Sequence, residues 1–483
     1  MVKPQVVFVS GNFNILHPGH LRLLRFAREL GDRLIVGVNS DRVGGVAVHV
    51  PQAMRLEGVS CNNWVSEAFL VDEPIEQVLS RLRPDIVVKG KEFESELNPE
   101  TEILNQYGGK LVFSSGEVAF SSLDLIRKSL SDTAAAPLQF PRSFAQRHDV
   151  QFDALGSIVE RFSGVKVCVV GDLIIDEYIT CDPLGMSQED PTIVVTPIDT
   201  RRFVGGAGIV AAHAAGMGAS VSLVTVTGND PTRTYAAEAL SGFGVDARLL
   251  LDESRPTTLK QRYRAQSKTL LRVSHLHQGS VGRLLQEKLV EQVVACLERC
   301  DLLVFSDFNY GCLPQPVVDR IITYGRQRKL IMIADSQCSS QVGDVSRFQH
   351  MDLLSATERE ARISLRNQED GLVIMAERLR TVASAQNVML KLGAEGVLLQ
   401  MQDTDKAPRT DRLPALNTAP VDVAGAGDSM LIAAGLALAA KASPWQAAAL
   451  GTVAAALQVG RLGNQPLGRT ELITTLRSRV VSL

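Results

Sequence analysis

Residues 6–38 read VVFVSGNFNILHPGHLRLLRFARELGDRLIVGV, and this stretch decides the fold. Val6 to Val9 is rich in β-branched residues and short enough for a buried strand. A loop from Gly11 to Gly19 follows. Leu21, Leu24, Ala27 and Leu30 then recur at helical spacing. Gly31-Asp32 stops the helix, and Leu34 to Val38 reads as a second strand. Strand, helix and strand within about thirty residues form a βαβ unit, so a parallel sheet is expected. The alternation runs on through Ile86–Lys89 and Leu111–Ser114 and ends in an expected helix near Leu123–Leu130.

Residues 131–150, SDTAAAPLQFPRSFAQRHDV, lose this rhythm and read as a linker. The pattern restarts after Gly164 with VKVCVVGD. Further strands are expected at Val221–Val226, Leu302–Phe305, Leu330–Ala334, Val388–Leu392 and Val397–Gln400, with helices between them. The expected organisation is therefore two α/β domains, 1–130 and 151–483, joined by the linker 131–150.

Composition narrows the function. The chain has 483 residues, 45% of them hydrophobic and 21% charged, which excludes wholesale disorder. A formal net charge of −3 makes nucleic acid a poor expected partner. The longest apolar run, Met430 to Ala440, is about half a membrane span, so no membrane partner is expected. Seven cysteines (61, 168, 181, 296, 300, 312 and 338) form no CxxC pair, which suits a reducing cytoplasm. Cys296 and Cys300 are helically spaced beside Val293 and Leu297 and read as buried thiols.

Two short runs carry chemistry. His17-Pro18-Gly19-His20 lies between the first strand and the first helix, at the carboxyl end of a parallel strand. Amides at a helix start attract phosphate, and two imidazoles three residues apart can donate to the same anion. Zinc binding or chance is the alternative. Asp422-Val423-Ala424-Gly425-Ala426-Gly427-Asp428 precedes a long apolar helix, Ser429 to Ala440. Small residues there expose amides to a phosphoryl group, and Asp428 can accept a proton from an attacking hydroxyl. A simple helix-capping aspartate is the competing reading.

The run SGNFNILHPGHLRLLRFARELGDRLIVGVNSD, with Asn39-Ser40-Asp41, Val88-Lys89-Gly90 and Phe120-Ser121-Ser122, resembles the cytidylyltransferase-like nucleotidyltransferases over about residues 4–130. It is most similar to the adenylyltransferase domain of bifunctional heptose-7-phosphate kinase/heptose-1-phosphate adenylyltransferases. The resemblance implies a Rossmann-like domain in which a sugar 1-phosphate attacks the α-phosphorus of a nucleotide. His17 and His20 would stabilise that phosphate, with Asn39, Asp41, Lys89, Ser121 and Ser122 around the nucleotide. Asn14 stands where the family has aspartate, and the usual basic stretch is reduced to Arg55.

The second half resembles ribokinase-type (PfkB) sugar kinases over residues 165–480. The motifs in family order are Val170-Gly171-Asp172 with Asp176, Phe203-Val204-Gly205-Gly206-Ala207-Gly208, Lys391-Leu392-Gly393-Ala394-Glu395-Gly396, and the DVAGAGD run. The resemblance implies a ribokinase-like α/β fold with Asp428 as catalytic base. Gly425, Ala426 and Gly427 would hold the transferring phosphate. Lys391, Gly393 and Gly396 would face the nucleotide, and Glu360 would organise Mg²⁺. Asp172, Asp176, Gly205 and Gly206 would bind the sugar. Lys260, Arg262 and Arg272 would take a substrate phosphate, with plain surface charge as the alternative. Ile209 replaces an asparagine, Tyr310 a lysine and Asp335-Ser336-Gln337 an Asp-Pro-Lys, so an altered sugar pocket is expected.

Together the resemblances imply a bifunctional enzyme of nucleotide-sugar synthesis that uses ATP and Mg²⁺. A sugar phosphate of the heptose 7-phosphate type would be phosphorylated at its anomeric hydroxyl and then converted to an ADP-sugar. The order of the halves is inverted relative to the bifunctional family. The alternatives are a sugar kinase with a nucleotide-binding remnant, and a non-catalytic nucleotide sensor. A homodimer is expected by resemblance alone.

Overall fold

The βαβ start folds as its pattern requires. Strand β1 (Val6–Gly11), the helix Pro18–Glu29 and strand β2 (Arg33–Asn39) are followed by β3 (Glu67–Val71), β4 (Ile86–Gly90) and β5 (Lys110–Ser114). All five strands are parallel, in the order β3-β2-β1-β4-β5. Alternate strand residues feed two cores: Val7, Val9, Leu34 and Val36 on one face, Phe8, Ile35 and Val87 on the other. The strand order reverses between β1 and β4, and that switch point is where open α/β sheets leave a crevice for ligands.

The computed structural model describes residues 5–14, 16, 18–45, 48–90, 98–114, 138–187, 190, 192–265, 268–337, 343–402, 409–478 and 480–482. The chain divides into two units, Met1–Ala136 and Pro137–Leu483. The expected helix near 123–130 lies outside the described residues.

The expected linker 131–150 needs correction in its second half. Residues 138–150 are part of the second unit. Strand β6 (Leu138–Phe140) pairs in parallel with the C-terminal strand Val480–Ser482, and a helix spans Arg142–Arg147. Phe140 and Phe144 are fully buried against Phe152 and Trp445. Prolines and small polar residues read as a linker, but Phe140 on the strand and Phe144 on the helix that follows bury large apolar side chains and anchor the segment.

The second unit restarts with β7 (Lys166–Gly171) and the long hairpin β8 (Leu173–Met186) and β9 (Ile193–Gly206). Then come β10 (Ser220–Thr227), β11 (Asp246–Leu251), β12 (Leu259–Ala265), β13 (Lys268–His275), β14 (Leu302–Asp307), β15 (Ile331–Ser336), β16 (Leu353–Thr357), β17 (Asn387–Lys391), β18 (Val397–Met401) and β19 (Arg409–Leu413). Nine of these strands form one sheet, ordered β11-β10-β7-β14-β15-β16-β17-β18-β19. It is parallel up to β17 and antiparallel beyond. Helices cover both faces, so central strands such as β14 and β18 are buried throughout. The helix Ala426–Ala439 is buried on every side from Asp428 to Ala437, as its alanine-rich, nearly charge-free sequence demands.

A separate four-stranded sheet, β13-β12-β8-β9, was not foreseen. The inner half of β8 is buried and its outer half exposed, so it leaves the core as a projecting hairpin. A chain beginning at Pro137 should therefore melt cooperatively. One beginning at Gln151 loses the Phe140 and Phe144 anchors and should melt at least about 10 °C lower or be insoluble, because large core truncations cost several kcal/mol. Thermal scans of the two fragments check this, and equal melting would return 138–150 to a linker.

Candidate active site

In the second unit the sheet order turns around between β7 and β14, so a crevice is expected above their carboxyl ends. Asp172 follows β7 there. Its two carboxylate oxygens accept three backbone amides, Phe308 at 2.8 Å, Tyr310 at 3.2 Å and Cys312 at 3.1 Å. The buried carboxyl is pushed up to about 6 by desolvation and by the neighbouring Asp307, against the pull of those amides. These bonds fix the loop after β14.

That loop presents a wall. Phe308 and Tyr310 are buried beside Ile174, and Lys260 of β12 lies 5.3 Å and 5.0 Å from their ring centroids. The cation is held by the electron-rich ring faces. Asp176 of β8 sits in register with Lys260 and is bound by Arg262 Nη2 at 3.3 Å and Asn464 Nδ2 at 3.4 Å. Burial raises its pKa, and the two lid cations oppose that. Gly205 is required here, because a Cβ would lie 2.5 Å from Asp176 Oδ2. Gly206 opens the helix Ala207–Gly216, which carries the fully buried Ile209. Arg272 is in register with Arg262 but exposed, on the outer strand β13.

The opposite wall is the start of the helix Ala426–Ala439. Gly425 takes φ +73°, and a Cβ on it would meet Asn464 Oδ1 at 2.4 Å. This left-handed residue turns the chain so that the amides of Gly427 and Asp428, which lack partners one turn back, face the crevice. Asp428 is buried and its Oδ1 accepts from Gln337 Nε2 at 3.2 Å. Desolvation, then the charge of Asp335, push its carboxyl up to about 7, while Lys391 pulls it down. Asp176 and Lys260 also act on it, so the lid strands and the helix start converge on one space.

Lys391, at the end of β17, contacts Asp335 Oδ2 at 2.7 Å. Burial opposes its charge, but Asp335, Glu360 and Asp428 outweigh that and raise its pKa. Asp335 Oδ1 is buried without a hydrogen-bond partner. Glu360 closes a capping box: its Oε2 accepts from Thr357 N at 2.7 Å while Glu360 N donates to Thr357 Oγ1. Gly393 takes φ +62° and Gly396 φ +95° in the turn to β18. Beside Lys391 and Gly393 an open cavity of about 630 Å³ is lined also by Thr357, Arg359 and Arg362.

Residues that sequence patterns missed include Gln337, Asn464, Tyr178 and Gln458. Tyr178 donates to Asp422 Oδ2 at 3.0 Å, and Gln458 donates to the carbonyls of Ala424 and Gly463. Gln337 lies in the Asp335-Ser336-Gln337 run and Tyr178 two residues after Asp176, but nothing in the sequence around any of the four signals these contacts. Only their burial against the glycine turns exposes what they do.

In the first unit, His20 lies in the first turn of the helix after β1, its ring 5.0 Å from that of Phe13. Asn39 Nδ2 donates to Asn12 Oδ1 at 2.8 Å, and Asn14 Oδ1 accepts from His49 N at 2.9 Å. These residues share the carboxyl edge of β1 and β2. Arg55 is fully buried and donates to the carbonyls of Val50, Asn12 and Asn39 and to Asp41 Oδ1. Lys89 Nζ pairs with Glu100 Oε1 at 2.9 Å. Arg55 thus welds the strand ends together, and Lys89 and Asp41 each sit in an ion pair. His17, Ser121 and Ser122 lie outside the described residues.

Two family models match the chain: pfkB family carbohydrate kinase over residues 165–470 and cytidylyltransferase-like over residues 8–112. The bifunctional protein HldE of Geobacter sulfurreducens is 27% identical over 325 residues, 66% of this chain and 64% of the relative. That of Geobacter metallireducens is 29% identical over 317 residues, 65% and 63% of the two chains. The chain therefore spans under two thirds of the length of these relatives. Phosphofructokinase-2 from Escherichia coli superposes with a TM-score of 0.52 at 16% identity over 65% of this chain and 98% of its own. A ribokinase from Thermotoga maritima superposes at 0.50 with 22% identity, over 65% and 100%. These structures share the fold of about two thirds of this chain. With its glycine-turned helix start, buried aspartate and β-sheet lid, the chain belongs to the pfkB family of carbohydrate kinases, and a cytidylyltransferase-like α/β unit precedes the kinase unit.

Proposed function

We propose a bifunctional enzyme of nucleotide-sugar synthesis. The second unit moves the terminal phosphoryl group of ATP to the anomeric hydroxyl of a sugar phosphate, of the heptose 7-phosphate type. The first unit then joins an adenylyl group to the resulting 1-phosphate, giving an ADP-sugar and pyrophosphate. The observation that carries the kinase half is the buried Asp428, at a glycine-turned helix start and within the electrostatic reach of Asp176 and Lys260. Both family models on one chain, and relatives that are themselves named bifunctional, support the pairing of the two reactions.

In this reading Asp428 takes the proton of the sugar hydroxyl at its free carboxylate face. The Gln337 amide holds the other oxygen and so fixes the carboxylate's direction. The Gly425–Gly427 turn offers amides to the phosphoryl group while charge shifts onto its oxygens. Asp176 orients sugar hydroxyls, and Lys260 and Arg262 receive the phosphate already on the sugar. Arg272 is too exposed to add more than long-range charge. Lys391, Gly393 and Gly396 border the ATP phosphates.

No group of three or more His, Cys, Asp or Glu residues suited to a metal occurs among the described residues. Magnesium bound through phosphates needs only one or two carboxylates. The orphaned Asp335 Oδ1 fits one of these and Glu360 is its acidic neighbour, so these two would hold Mg²⁺ with the nucleotide. The ion would neutralise phosphate charge. Among the described residues no helix is long and apolar enough to cross a membrane.

A second reading keeps the kinase and leaves the first unit as a nucleotide-binding remnant. It is favoured by one observation: the surviving cation Arg55 is spent on carbonyls and Asp41, so it cannot replace a phosphate-binding lysine. We also read the protein as a homodimer, supported by Leu184, Met186, Ile193 and Ile198, which are 56–68% exposed on the lid hairpin. Light scattering should give twice the chain mass, and a monomer at micromolar concentration would remove that reading.

Asp428→Asn should lower phosphoryl transfer by about 10²–10⁴-fold while ATP affinity holds. With a folded pKa near 7, kcat/KM for the wild type should rise with pH through about 7. A raised carboxyl pKa weakens the fold as pH climbs from about 4 to 7. Asp428→Asn lifts that penalty and should melt no lower than wild type at pH 8. Near-wild-type turnover in the variant would refute the base assignment.

The whole proposal is tested by incubating the protein with ATP, Mg²⁺ and candidate heptose phosphates. Mass spectrometry should show a sugar bisphosphate and then an ADP-sugar. Pyrophosphate release should be slower than ADP release, because among the described residues Arg55 and Lys89, the cations expected near the nucleotide, are each held in an ion pair. A bisphosphate that never becomes an ADP-sugar selects the remnant reading, and no product at all rejects both.

A further inference from the structure

The parallel strands of the second unit have a second end, opposite the Asp428 crevice, and three sulfurs meet there. Cys168 lies on β7, in register with Ser222 of β10 and Leu303 of β14. Cys296 is in the last turn of the helix Arg283–Leu297, and Cys300 lies just before β14. Cys168 and Cys300 are buried, at 1% and 8% exposure, while Cys296 is half-buried. A cavity of about 430 Å³ opens at this edge, lined by Lys166, Ser222, Cys296, Arg299 and Cys300. The Cys300 thiol is turned onto the carbonyls of Lys166 and Leu302, at 3.4 Å and 2.9 Å. Cys296 packs against the buried cluster that holds Cys168 and Cys300.

We propose that Cys296 is a hydroperoxide-reactive thiol and that Cys168 is its resolving partner. Cys296 and Cys300 both line the cavity, but the Cys300 thiol is engaged with backbone, which leaves the half-buried Cys296 to meet the oxidant and the buried Cys168 behind it to resolve the product. Interaction with the Cys168 thiol, the guanidinium of Arg248 and the Ser222 hydroxyl favour the Cys296 thiolate, against burial and the charge of Asp246, and bring Cys296 down to about 7. The same interaction and burial keep Cys168 protonated, as a resolving thiol should be before oxidation.

The steps balance. The Cys296 thiolate attacks one oxygen of the hydroperoxide, the O–O bond breaks, and the alkoxide leaves as the alcohol after taking a proton. Cys296 is now a sulfenic acid, and the thiols have delivered two electrons to the peroxide. Cys168 sulfur attacks the Cys296 sulfur and the S–O bond breaks. Hydroxide leaves with the Cys168 proton as water, and a Cys168–Cys296 disulfide remains. The bond would tie the helix Arg283–Leu297 to β7, the strand that ends at Asp172. This site does not depend on the kinase reading.

The test uses the full chain, hydrogen peroxide, rapid alkylation and peptide mass spectrometry. A 168–296 cross-linked peptide is expected in wild type and in Cys300→Ser, and its loss in Cys296→Ser and Cys168→Ser. In Cys168→Ser a sulfenic acid at Cys296 should be trapped by dimedone. The rate of Cys296 alkylation in unoxidised wild type should be half-maximal near pH 7, against about 8.5 for an ordinary thiol. A cross-link to Cys300 or Cys61 would overturn the proposal, as would no cross-link or an alkylation midpoint at the ordinary value. The alkylation profile decides even if Cys168→Ser does not fold.

Discussion

One ammonium group holds the acidic end of the large sheet together. Lys391 Nζ sits 2.7 Å from Asp335 Oδ2, with Glu360 and Asp428 acting on it as well. Three carboxyl groups crowd this end because β15, β16 and β17 are parallel and finish side by side, next to a helix start. Without a cation among them, their mutual repulsion and lost hydration would cost several kcal/mol. One lysine offsets part of this. The remainder appears as Asp428 held near 7, a carboxyl that can gain or lose a proton at neutral pH. The same imbalance that weakens the fold gives the group its chemical use.

The other side of the crevice depends on backbone rather than charge. Asp172 binds three successive-loop amides, which places Phe308 and Tyr310 against Lys260. A carboxylate that would be expensive to bury alone is stabilised by amides that would be expensive to leave unmet. Lid and core are then joined through Asn464, which reaches Asp176 from the turn that also packs on Gly425. The two walls of the crevice therefore share a supporting residue, and a change in one shifts the other.

The two units spend their cations differently. In the kinase unit Lys260 and Arg262 face the crevice from lid strands. In the first unit Arg55 is turned inward, where its planar fork reaches three carbonyls and a carboxylate at once. In the sequence Arg55 is what remains of the usual basic stretch, and its contacts are not legible there. Its surroundings make it a structural bolt.

Sequence alone determined the two α/β units, the parallel strands from Val6 to Val38 and from Val165 onward, and the Gly-rich helix start at Asp428. These features are local: periodicity of two or 3.6, and glycines where the backbone must turn. The family resemblance rested on such local runs, and the pfkB and cytidylyltransferase-like matches bear it out. Tertiary structure decided the rest. It made 138–150 a buried anchor instead of a linker, since Phe144 meets Trp445 and strand β6 pairs with Val480–Ser482, each hundreds of residues away. It drew β8, β9, β12 and β13 into a lid that no single segment announces. It also set the jobs of Asp172, Arg55 and Gln337, because what a polar side chain does depends on which amides, carbonyls and charges long-range packing brings within about 3 Å of it.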